Sequence, residues 1–491
     1  MLPSSSISAT LQRRIGLRSA VLFNMLEMIG VGPFITLPLV VAAAGFRLSV
    51  WAWALGAAIA IADGLVWAEL GAAFPRAGGS YAFLREIYGS KGPGNWLSFL
   101  YVWQVGFTAP LSIASGCIGL SGFLVVFWPA LDAAPISLLP TLHYANFAAS
   151  AVCLLVTALL YRNIGSVARM AWVLFAGVIA ALTGVIVSGF AHTATAGGCP
   201  MLDALFAFRV GTCTAIPLSA AAFGGLAQAT LLATYCYWGY YNICFLAGEV
   251  RRPERTVPRA ILLSILFVAA LYVLMNLAVL PSLGGVASHA APSSPLRFQL
   301  VADLARSTFG SWAGYTIAAL IVWTAFSSVF SLQLGYSRVP YAAACDGNYF
   351  HYLAAVHSKH GIPHRALVAL GLVGAFFCFF SLTQVITMLV ITRILLQFSL
   401  QQIGVILLRV RKPDLPRPFR MPLYPLPPLV AMAGFAFMLF DPRRAQSKGG
   451  GALLGLAVAA GIAASGTLLY LFRARCLRQW PFATTPVVPG P

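Results

Sequence analysis

Long apolar runs separated by short polar segments are the feature that most limits how this chain can fold. Most runs reach about 20 residues, the length that an α-helix needs to cross the hydrocarbon core of a bilayer. They are too long and too evenly apolar for the alternating strands of a membrane β-barrel. The twelve predicted spans are residues 17–44, 49–73, 93–128, 143–161, 168–190, 221–250, 259–283, 310–337, 363–382, 383–408, 422–441 and 451–472.

The composition excludes a water-soluble fold. Of the 491 residues, 60% are hydrophobic and only 9% are charged. A soluble domain carries about 25% charged residues because its surface faces water. The predicted fold class is therefore an all-α polytopic membrane protein with 12 transmembrane helices, and the lipid bilayer is its surroundings.

The net charge of +19 is explained by topology rather than by a nucleic-acid partner. With the N-terminus placed inside, 23 of the 31 Lys and Arg residues fall in inside segments and 7 in outside segments, while Arg393 lies within a span. Cytoplasmic loops are enriched in basic residues. We therefore expect both termini to be cytoplasmic, in a plasma or inner membrane, and no nucleic-acid binding.

The cysteines and histidines indicate no metal centre, and no cofactor is expected. Most of the nine cysteines lie in predicted spans, where a thiol packs as a small apolar group. Cys199 and Cys213 share one outside loop and could form a disulfide if that compartment is oxidising. No Walker A loop or nucleophile elbow is present in the sequence, so an enzyme is not expected.

Two spans contain residues that interrupt helices. Gly30, Gly32 and Pro33 lie in the middle of the first span, and Gly239 lies among aromatics in the middle of the sixth. Singly, each is explained by close packing or a kink. Their matching positions in two groups of five spans indicate an inverted-repeat transporter. Backbone groups freed by such a break need a polar ligand or a wet cavity, and an amino acid zwitterion suits both helix ends.

Four motifs, in order along the chain, support a family resemblance. They are Gly30–Phe34, Glu69–Tyr81, Glu249–Ala260, and Ser337–Arg338 with Ala344–Gly347. Together they resemble the amino acid–polyamine–organocation superfamily of secondary transporters over nearly the whole chain. The usual Gly-Ser-Gly-Ile-Phe of that family is replaced here by Gly-Val-Gly-Pro-Phe. Pro-Phe at this place is similar to polyamine-type members, so the substrate class stays open between amino acids and polyamines or other organic cations.

The resemblance implies a LeuT-like fold of five plus five inverted helices, with two helices added at the C-terminus. In this scheme two tails flank two repeats, an outside loop joins the repeats, and the added pair follows the second repeat. The predicted segments are the N-terminal tail (1–16), the first repeat (17–190), the outside loop (191–220), the second repeat (221–408), the added helices (409–472) and the C-terminal tail (473–491).

The resemblance also implies a substrate site between the two interrupted spans. The backbone near Gly30–Phe34 would hold the substrate carboxylate, and the backbone near Tyr235–Gly239 its amine. Tyr235 occupies the position of an aromatic residue that covers the substrate from outside, and its aromatic neighbours either line the pocket or pack between helices. The predicted substrate-binding residues are Gly30, Val31, Gly32, Pro33, Phe34, Tyr235, Tyr237, Trp238 and Gly239.

Three ionisable residues lie deep in predicted spans and are candidates for coupling. Glu27 is one helical turn from Gly30, Asp63 lies at similar depth, and Arg393 lies near the middle of span 10. Such groups are costly in a bilayer and are often functional. One interpretation is a structural ion pair of Arg393 with one of the acids. The other makes Glu27 a proton carrier or the counter-charge of a cationic substrate.

The coupling ion and the gates are further predictions. Ser327 and Ser328 stand where sodium-coupled relatives carry hydroxyls, whereas span 168–190 lacks the lysine of some proton-coupled members. We expect H⁺ coupling or exchange, with Na⁺ as the alternative. Inner-gate anchors are predicted near the cytoplasmic ends of spans: Glu69, Glu249 and Arg338.

The sequence therefore predicts a secondary active amino acid transporter that works by alternating access. A polyamine or organic cation transporter is the alternative within the superfamily. A channel is a more remote one, since broken helices also occur in pores.

Overall fold

The computed structural model describes residues 13–90, 92–134, 142–162, 167–196, 220–282, 296–357, 362–439 and 451–477. Within these ranges the chain is helical, and its β-structure is one isolated backbone bridge between Ile15 and Val250. The α-helices of the first half are α1 (Leu17–Met28), α2 (Gly32–Gly45), α3 (Leu48–Ala73), α4 (Ser80–Tyr88), α5 (Pro93–Leu124), α6 (Tyr144–Arg162) and α7 (Val167–Ala196).

The second half continues with the same kind of element. Its α-helices are α8 (Ala220–Tyr237), α9 (Asn242–Phe245), α10 (Pro253–Val279), α11 (Leu296–Phe309), α12 (Ser311–Tyr336), α13 (Arg338–Cys345), α14 (His364–Phe377), α15 (Leu382–Arg393), α16 (Ser399–Arg411), α17 (Leu426–Leu439) and α18 (Gly451–Cys476). A π-helical turn, Ile394–Phe398, joins α15 to α16.

Every predicted span coincides with at least one helix, but the number twelve is not itself established. Within the described ranges, eight helices are long and apolar enough to cross a bilayer, or nine when the bent pair α1 and α2 counts as one span. Helices α14 and α17 are apolar but shorter. The predicted all-α polytopic class is confirmed, whereas the exact count and the repeat boundaries stay predictions.

The structure differs from the predicted spans in three places. Gly45, with φ of +74°, lies between α2 and α3. Predicted spans 1 and 2 are therefore separated by a short turn rather than by a longer loop. Span 6 is divided into α8, a non-helical stretch and the short α9. The sequence did not predict α11, whose apolar content is too low for a span. Cys199 and Cys213 lie outside the described residues.

Side-chain amides and hydroxyls fasten α1 to its neighbours beside the broken region. Asn24 Oδ1 accepts a hydrogen bond from the Ile243 backbone N–H at 2.9 Å. Asn242 Nδ2 donates to Ser331 Oγ at 2.9 Å, and Ser331 Oγ donates to the Phe23 carbonyl at 2.9 Å. These bonds join α1, α9 and α12, and they hold both interrupted segments against α12.

Gly335 allows α12 to approach α9 closely, which gives a test of this packing. A Cβ at Gly335 would overlap Oδ1 of Asn242. Gly335→Ala should therefore lower the free energy of unfolding by about 2 kcal/mol, the usual cost of an overpacked core. Thermal unfolding of the purified protein in detergent measures this effect.

Gly461→Ala is the matched control, because no atom lies within 4 Å of a Cβ built at that position in α18. It should unfold at or slightly above the parent temperature. Equal unfolding temperatures for Gly335→Ala and the parent would contradict the described contact.

Candidate substrate site

The two helix breaks lie side by side at the centre of the molecule. Helix α1 ends at Met28, α2 begins at Gly32, and the two axes differ by 46°. Helix α8 ends just before Gly239, whose φ is +127°. A Cβ on Gly239 would lie 2.8 Å from both the Met28 nitrogen and Glu27 Cγ. Glycine is therefore required here by the backbone conformation and by the close approach of α1.

Pro33 defines which backbone donors the start of α2 can offer. The first N–H groups of a helix lack partners within the helix, and proline has no N–H. The Phe34 N–H bonds to the Val31 carbonyl at 3.1 Å. The donors left for a ligand at this helix start are those of Val31 and Gly32, and both residues line a cavity.

Tyr272 of α10 connects the two breaks. Its hydroxyl lies 2.8 Å from the Met28 carbonyl and 3.3 Å from the Cys236 carbonyl, so one proton is shared between the ends of α1 and α8. The side chain is fully buried. Because lipid offers no donor, this hydroxyl supplies a hydrogen bond that the interrupted helices cannot supply themselves.

Between the breaks lies a cavity of about 50 Å³. One water needs about 10–15 Å³ by the same measure, so the space holds a few waters, and it must widen to admit an amino acid. Its lining comes from both breaks and from α5, α12 and α15. The lining residues are Glu27, Met28, Gly30, Val31, Gly32, Ser112, Ser115, Gly116, Tyr235, Cys236, Trp238, Tyr241, Ser328, Leu332 and Arg393.

The predicted aromatic residues take different directions. Tyr235 lines the cavity, and its hydroxyl lies 2.9 Å from Ser115 Oγ, which joins α8 to α5 across one side. Trp238 lines it as well. Tyr237 is directed away: its hydroxyl donates to the Trp53 carbonyl at 3.3 Å, and its ring packs against Tyr272. In this structure Tyr237 therefore packs between helices, which is the second of the two interpretations that the sequence left open.

Three other predicted binding residues also lie outside the lining. Pro33, Phe34 and Gly239 shape the two breaks without contacting the cavity. Phe34 is buried in the helix packing. Their contribution is to backbone conformation, whereas Gly30, Val31 and Gly32 border the cavity itself.

Arg393 is buried in the cavity wall, where it bonds to two hydroxyl groups. Its Nη1 donates to Tyr241 Oη at 2.8 Å and its Nη2 to Ser112 Oγ at 2.7 Å. Among the described residues, no ion pair joins Arg393 to Glu27 or Asp63, so the predicted structural ion pair is absent there. Glu27 also lines the cavity, and its Oε2 has no hydrogen-bond partner within the described part of the chain.

Asp63 does not line the cavity, and its carboxylate accepts hydrogen bonds from two side chains. The Tyr240 hydroxyl and the Gln402 side-chain amide both donate to its carboxylate. The three side chains belong to α3, the stretch between α8 and α9, and α16, and all are fully buried. This arrangement supports a structural role for Asp63 rather than the predicted role in coupling.

The two serines of α12 differ in their contacts. Ser327 Oγ donates to the Trp323 carbonyl of its own helix at 2.7 Å. Ser328 Oγ donates to the Glu27 carbonyl at 3.2 Å and lines the cavity. A Cβ on Gly30 would lie 2.8 Å from this hydroxyl, so Gly30 permits the contact. In the described residues, no group of three His, Cys, Asp or Glu side chains could hold a metal ion.

The predicted gate anchors form ion pairs at other places in the fold. Glu69 accepts from Arg409 Nε at 2.9 Å and from the Met421 backbone N–H at 2.8 Å, and Arg417 lies 3.5 Å away. Glu249 pairs with Arg338 at 3.1 Å. Both acids are buried, so the pairs fasten loops to helix ends, and their role as a gate stays a prediction.

Several lining residues were not predicted. Ser112, Ser115 and Tyr241 contribute hydroxyls, and Cys236 contributes a thiol that lies 3.0 Å from Thr36 Oγ1. A hydroxyl inside an apolar helix has no distinctive pattern, because it often bonds its own backbone. The only sequence signal was the position of Tyr241 two residues after Gly239.

The comparison with known proteins decides the family. Residues 15–460 match the family model described as amino acid permease. The chain belongs to the amino acid permease family. This match covers both helix breaks and every residue that lines the cavity.

Individual relatives agree with this assignment. An uncharacterized transporter of Mycobacterium tuberculosis is 32% identical to the permease over 368 residues, which are 74% of this chain and 73% of the relative. The serine/threonine exchanger SteT of Bacillus subtilis is 29% identical over 444 residues, 87% and 91% of the two chains. The branched-chain amino acid permease BcaP of the same organism is 24% identical over 449 residues, 90% of each.

The predicted function as a secondary amino acid permease is thereby confirmed. The polyamine alternative is not favoured, and the family consists of transporters rather than enzymes.

Removal of the Tyr272 hydroxyl tests the connection between the breaks. Tyr272→Phe leaves the Met28 and Cys236 carbonyls without this donor, and an unsatisfied buried group costs about 1–3 kcal/mol. The permease should unfold several degrees below the parent in detergent. Tyr144→Phe, at a half-exposed ring, should leave the unfolding temperature unchanged. An unchanged temperature for Tyr272→Phe would contradict the proposed importance of the shared proton.

Proposed function

We propose that the permease binds one amino acid zwitterion in the cavity between the two helix breaks and carries it across the membrane by alternating access. The observation that carries this proposal is that both breaks border one small polar cavity. Unsatisfied backbone groups at membrane depth are tolerated where they line such a cavity. The helix ends also provide opposite partial charges for the two ends of the substrate.

The binding mode follows from the groups available. The N–H groups of Val31 and Gly32, at the positive end of α2, suit the substrate carboxylate. Carbonyls at the end of α8 and the Glu27 side chain suit the ammonium. The Tyr235–Ser115 hydrogen bond lies on the same cavity and would have to open or move for the substrate to pass on that side.

The charge of the cavity supports an amino acid over a polyamine. The guanidinium of Arg393, which has no ion-pair partner among the described residues, lies in the wall and repels a ligand that carries only positive charges. The names of SteT and BcaP describe serine, threonine and branched-chain amino acids, which are neutral zwitterions. We therefore propose as the substrate an amino acid whose side chain carries no positive charge.

For coupling, we propose H⁺ or exchange rather than Na⁺. Glu27 is a buried acid at the cavity, and one of its oxygens has no hydrogen-bond partner in the part of the chain that the structure describes, which suits a proton carrier. Ser328 lines the cavity whereas Ser327 does not, so the two predicted serine ligands of a sodium ion do not face that space together.

The basic residues support an orientation with both termini in the cytoplasm of a cell whose plasma or inner membrane holds the permease. In this orientation the Glu69 and Glu249 ion pairs lie at the inner side. They would stabilise the inward-closed form.

Gly32→Val tests the site assignment. A Cβ at Gly32 lies 3.4 Å from Cys236 Sγ and 3.6 Å from Tyr235 Cε1, ordinary contact distances, so the extra methyl groups would fill the cavity rather than break the fold. Saturable amino acid uptake into proteoliposomes should fall at least tenfold.

The control is Gly106→Val in α5, where no atom lies within 4 Å of the added Cβ. It makes the same glycine-to-valine change at a position that does not line the cavity, and it should retain uptake. Parent-like uptake by Gly32→Val would remove the cavity from the transport path. Uptake that rises linearly with concentration, without counterflow, would instead indicate a channel.

Glu27→Gln tests the proton role. In the parent, an inward proton gradient should accelerate net uptake, because Glu27 carries a proton with the substrate. The variant should lose this acceleration yet still exchange internal for external amino acid. Glu86→Gln, at an exposed ion pair, should behave as the parent. Persisting acceleration in Glu27→Gln would exclude Glu27 as the carrier.

A further inference from the structure

Arg393 is a buried cation whose hydrogen bonds are incomplete. The side chain is only 3% exposed and lines the cavity. A guanidinium has five N–H donors. Two of them reach neutral hydroxyls, those of Tyr241 and Ser112, and within the described residues Nε has no partner. A buried charge is normally paired or fully hydrogen-bonded, so this group has capacity for another acceptor.

Aromatic rings stabilise the cation but do not satisfy its donors. The guanidinium carbon lies 5.1 Å from the Tyr336 ring centroid and 5.7 Å from that of Trp238. Such contacts attract a cation electrostatically without accepting an in-plane N–H. The rings and the two hydroxyls therefore fix the orientation of the guanidinium while an in-plane donor is left over.

Arg393 lies in a different part of the cavity wall from the helix start that suits the α-carboxylate. Gly32 lies beside Tyr235 and Cys236, and Val31 packs against Gly119 of α5. Arg393 instead contacts Ser112, Tyr241 and the rings of Trp238 and Tyr336. If the start of α2 holds the α-carboxylate, the substrate group left to bind Arg393 is the side chain, because a guanidinium repels the ammonium.

We propose that the guanidinium of Arg393 binds an oxygen atom of the substrate side chain, so that the permease selects amino acids bearing a hydroxyl, amide or carboxylate over apolar isosteres. This inference rests on the proposed binding of a zwitterion in the cavity. An apolar side chain would occupy the same space but leave a buried donor unpaired, and that loss weakens binding. Arg393 is thus a specificity-determining residue for transport.

Isosteric pairs of amino acids test the proposal directly. Threonine and valine differ by a hydroxyl against a methyl group, and asparagine and leucine by an amide against two methyl groups. Competition with a transported radiolabelled amino acid in proteoliposomes gives the affinity of each. The parent should bind the polar member of each pair about tenfold or more tightly. In Arg393→Met the ratio should fall to about one, chiefly through weaker binding of the polar member.

Further variants keep the result interpretable if Arg393→Met does not fold. Arg393→Lys retains the charge but not the planar fork, and it should show an intermediate ratio. Ser112→Ala and Tyr241→Phe each remove one hydroxyl that orients the guanidinium, and each should reduce the ratio while the charge remains. Thermal unfolding of every variant separates loss of fold from loss of selectivity.

Four outcomes would overturn the proposal. A parent that binds both members of each pair equally would overturn it while leaving the zwitterion site intact. Selectivity that persists in Arg393→Met, or in both hydroxyl variants, would assign it to other residues. Equal weakening of threonine and valine by Arg393→Met would show that Arg393 binds a group that both share. A parent that binds no amino acid would overturn the proposed function as well.

Discussion

The requirement that backbone groups be hydrogen-bonded inside a bilayer governs this structure. Two helices are interrupted near the centre of the molecule, and each interruption releases N–H and C=O groups that lipid cannot satisfy. Tyr272 donates to carbonyls at the ends of both α1 and α8, and the Asn24 side chain accepts the backbone N–H of Ile243. The remaining groups face a small cavity. The fold thus satisfies part of the released backbone itself and leaves part for a ligand.

The cavity also contains two side chains of opposite charge. A carboxyl group and a guanidinium, those of Glu27 and Arg393, line one space without forming an ion pair with each other. A direct pair would neutralise both groups and leave little for a substrate. Arg393 instead bonds to Ser112 and Tyr241, and the two groups together make the cavity bipolar, which suits a molecule that carries both charges.

The two helix breaks could be predicted from glycine and proline in the sequence. The buried charged residues could be predicted from their positions inside apolar spans. Gly30, Gly32, Pro33 and Gly239 each weaken a helix through their own local chemistry, and both interruptions are present. A charge in an apolar span is conspicuous for the same reason. The family resemblance rested on these local motifs, and the match over residues 15–460 agrees with it.

Side-chain directions and polar partners could not be predicted. Helix α8 ends at Tyr237, so a helical period cannot predict that Trp238 lines the cavity whereas Tyr237 packs against Trp53 and Tyr272. The hydrogen-bond donors of Asp63 could not be predicted either, because Gln402 is distant from it in sequence. The hydroxyls around Arg393 likewise come from α5 and from the stretch between α8 and α9, which only the fold brings together.

A density map of the permease at a saturating concentration of a transported amino acid tests the central claim most directly. The account predicts ligand density between the backbone of Val31–Gly32 and the end of α8, with the carboxylate within hydrogen-bond distance of those N–H groups. Ligand density at another place, or none in this cavity under conditions that saturate uptake, would contradict it.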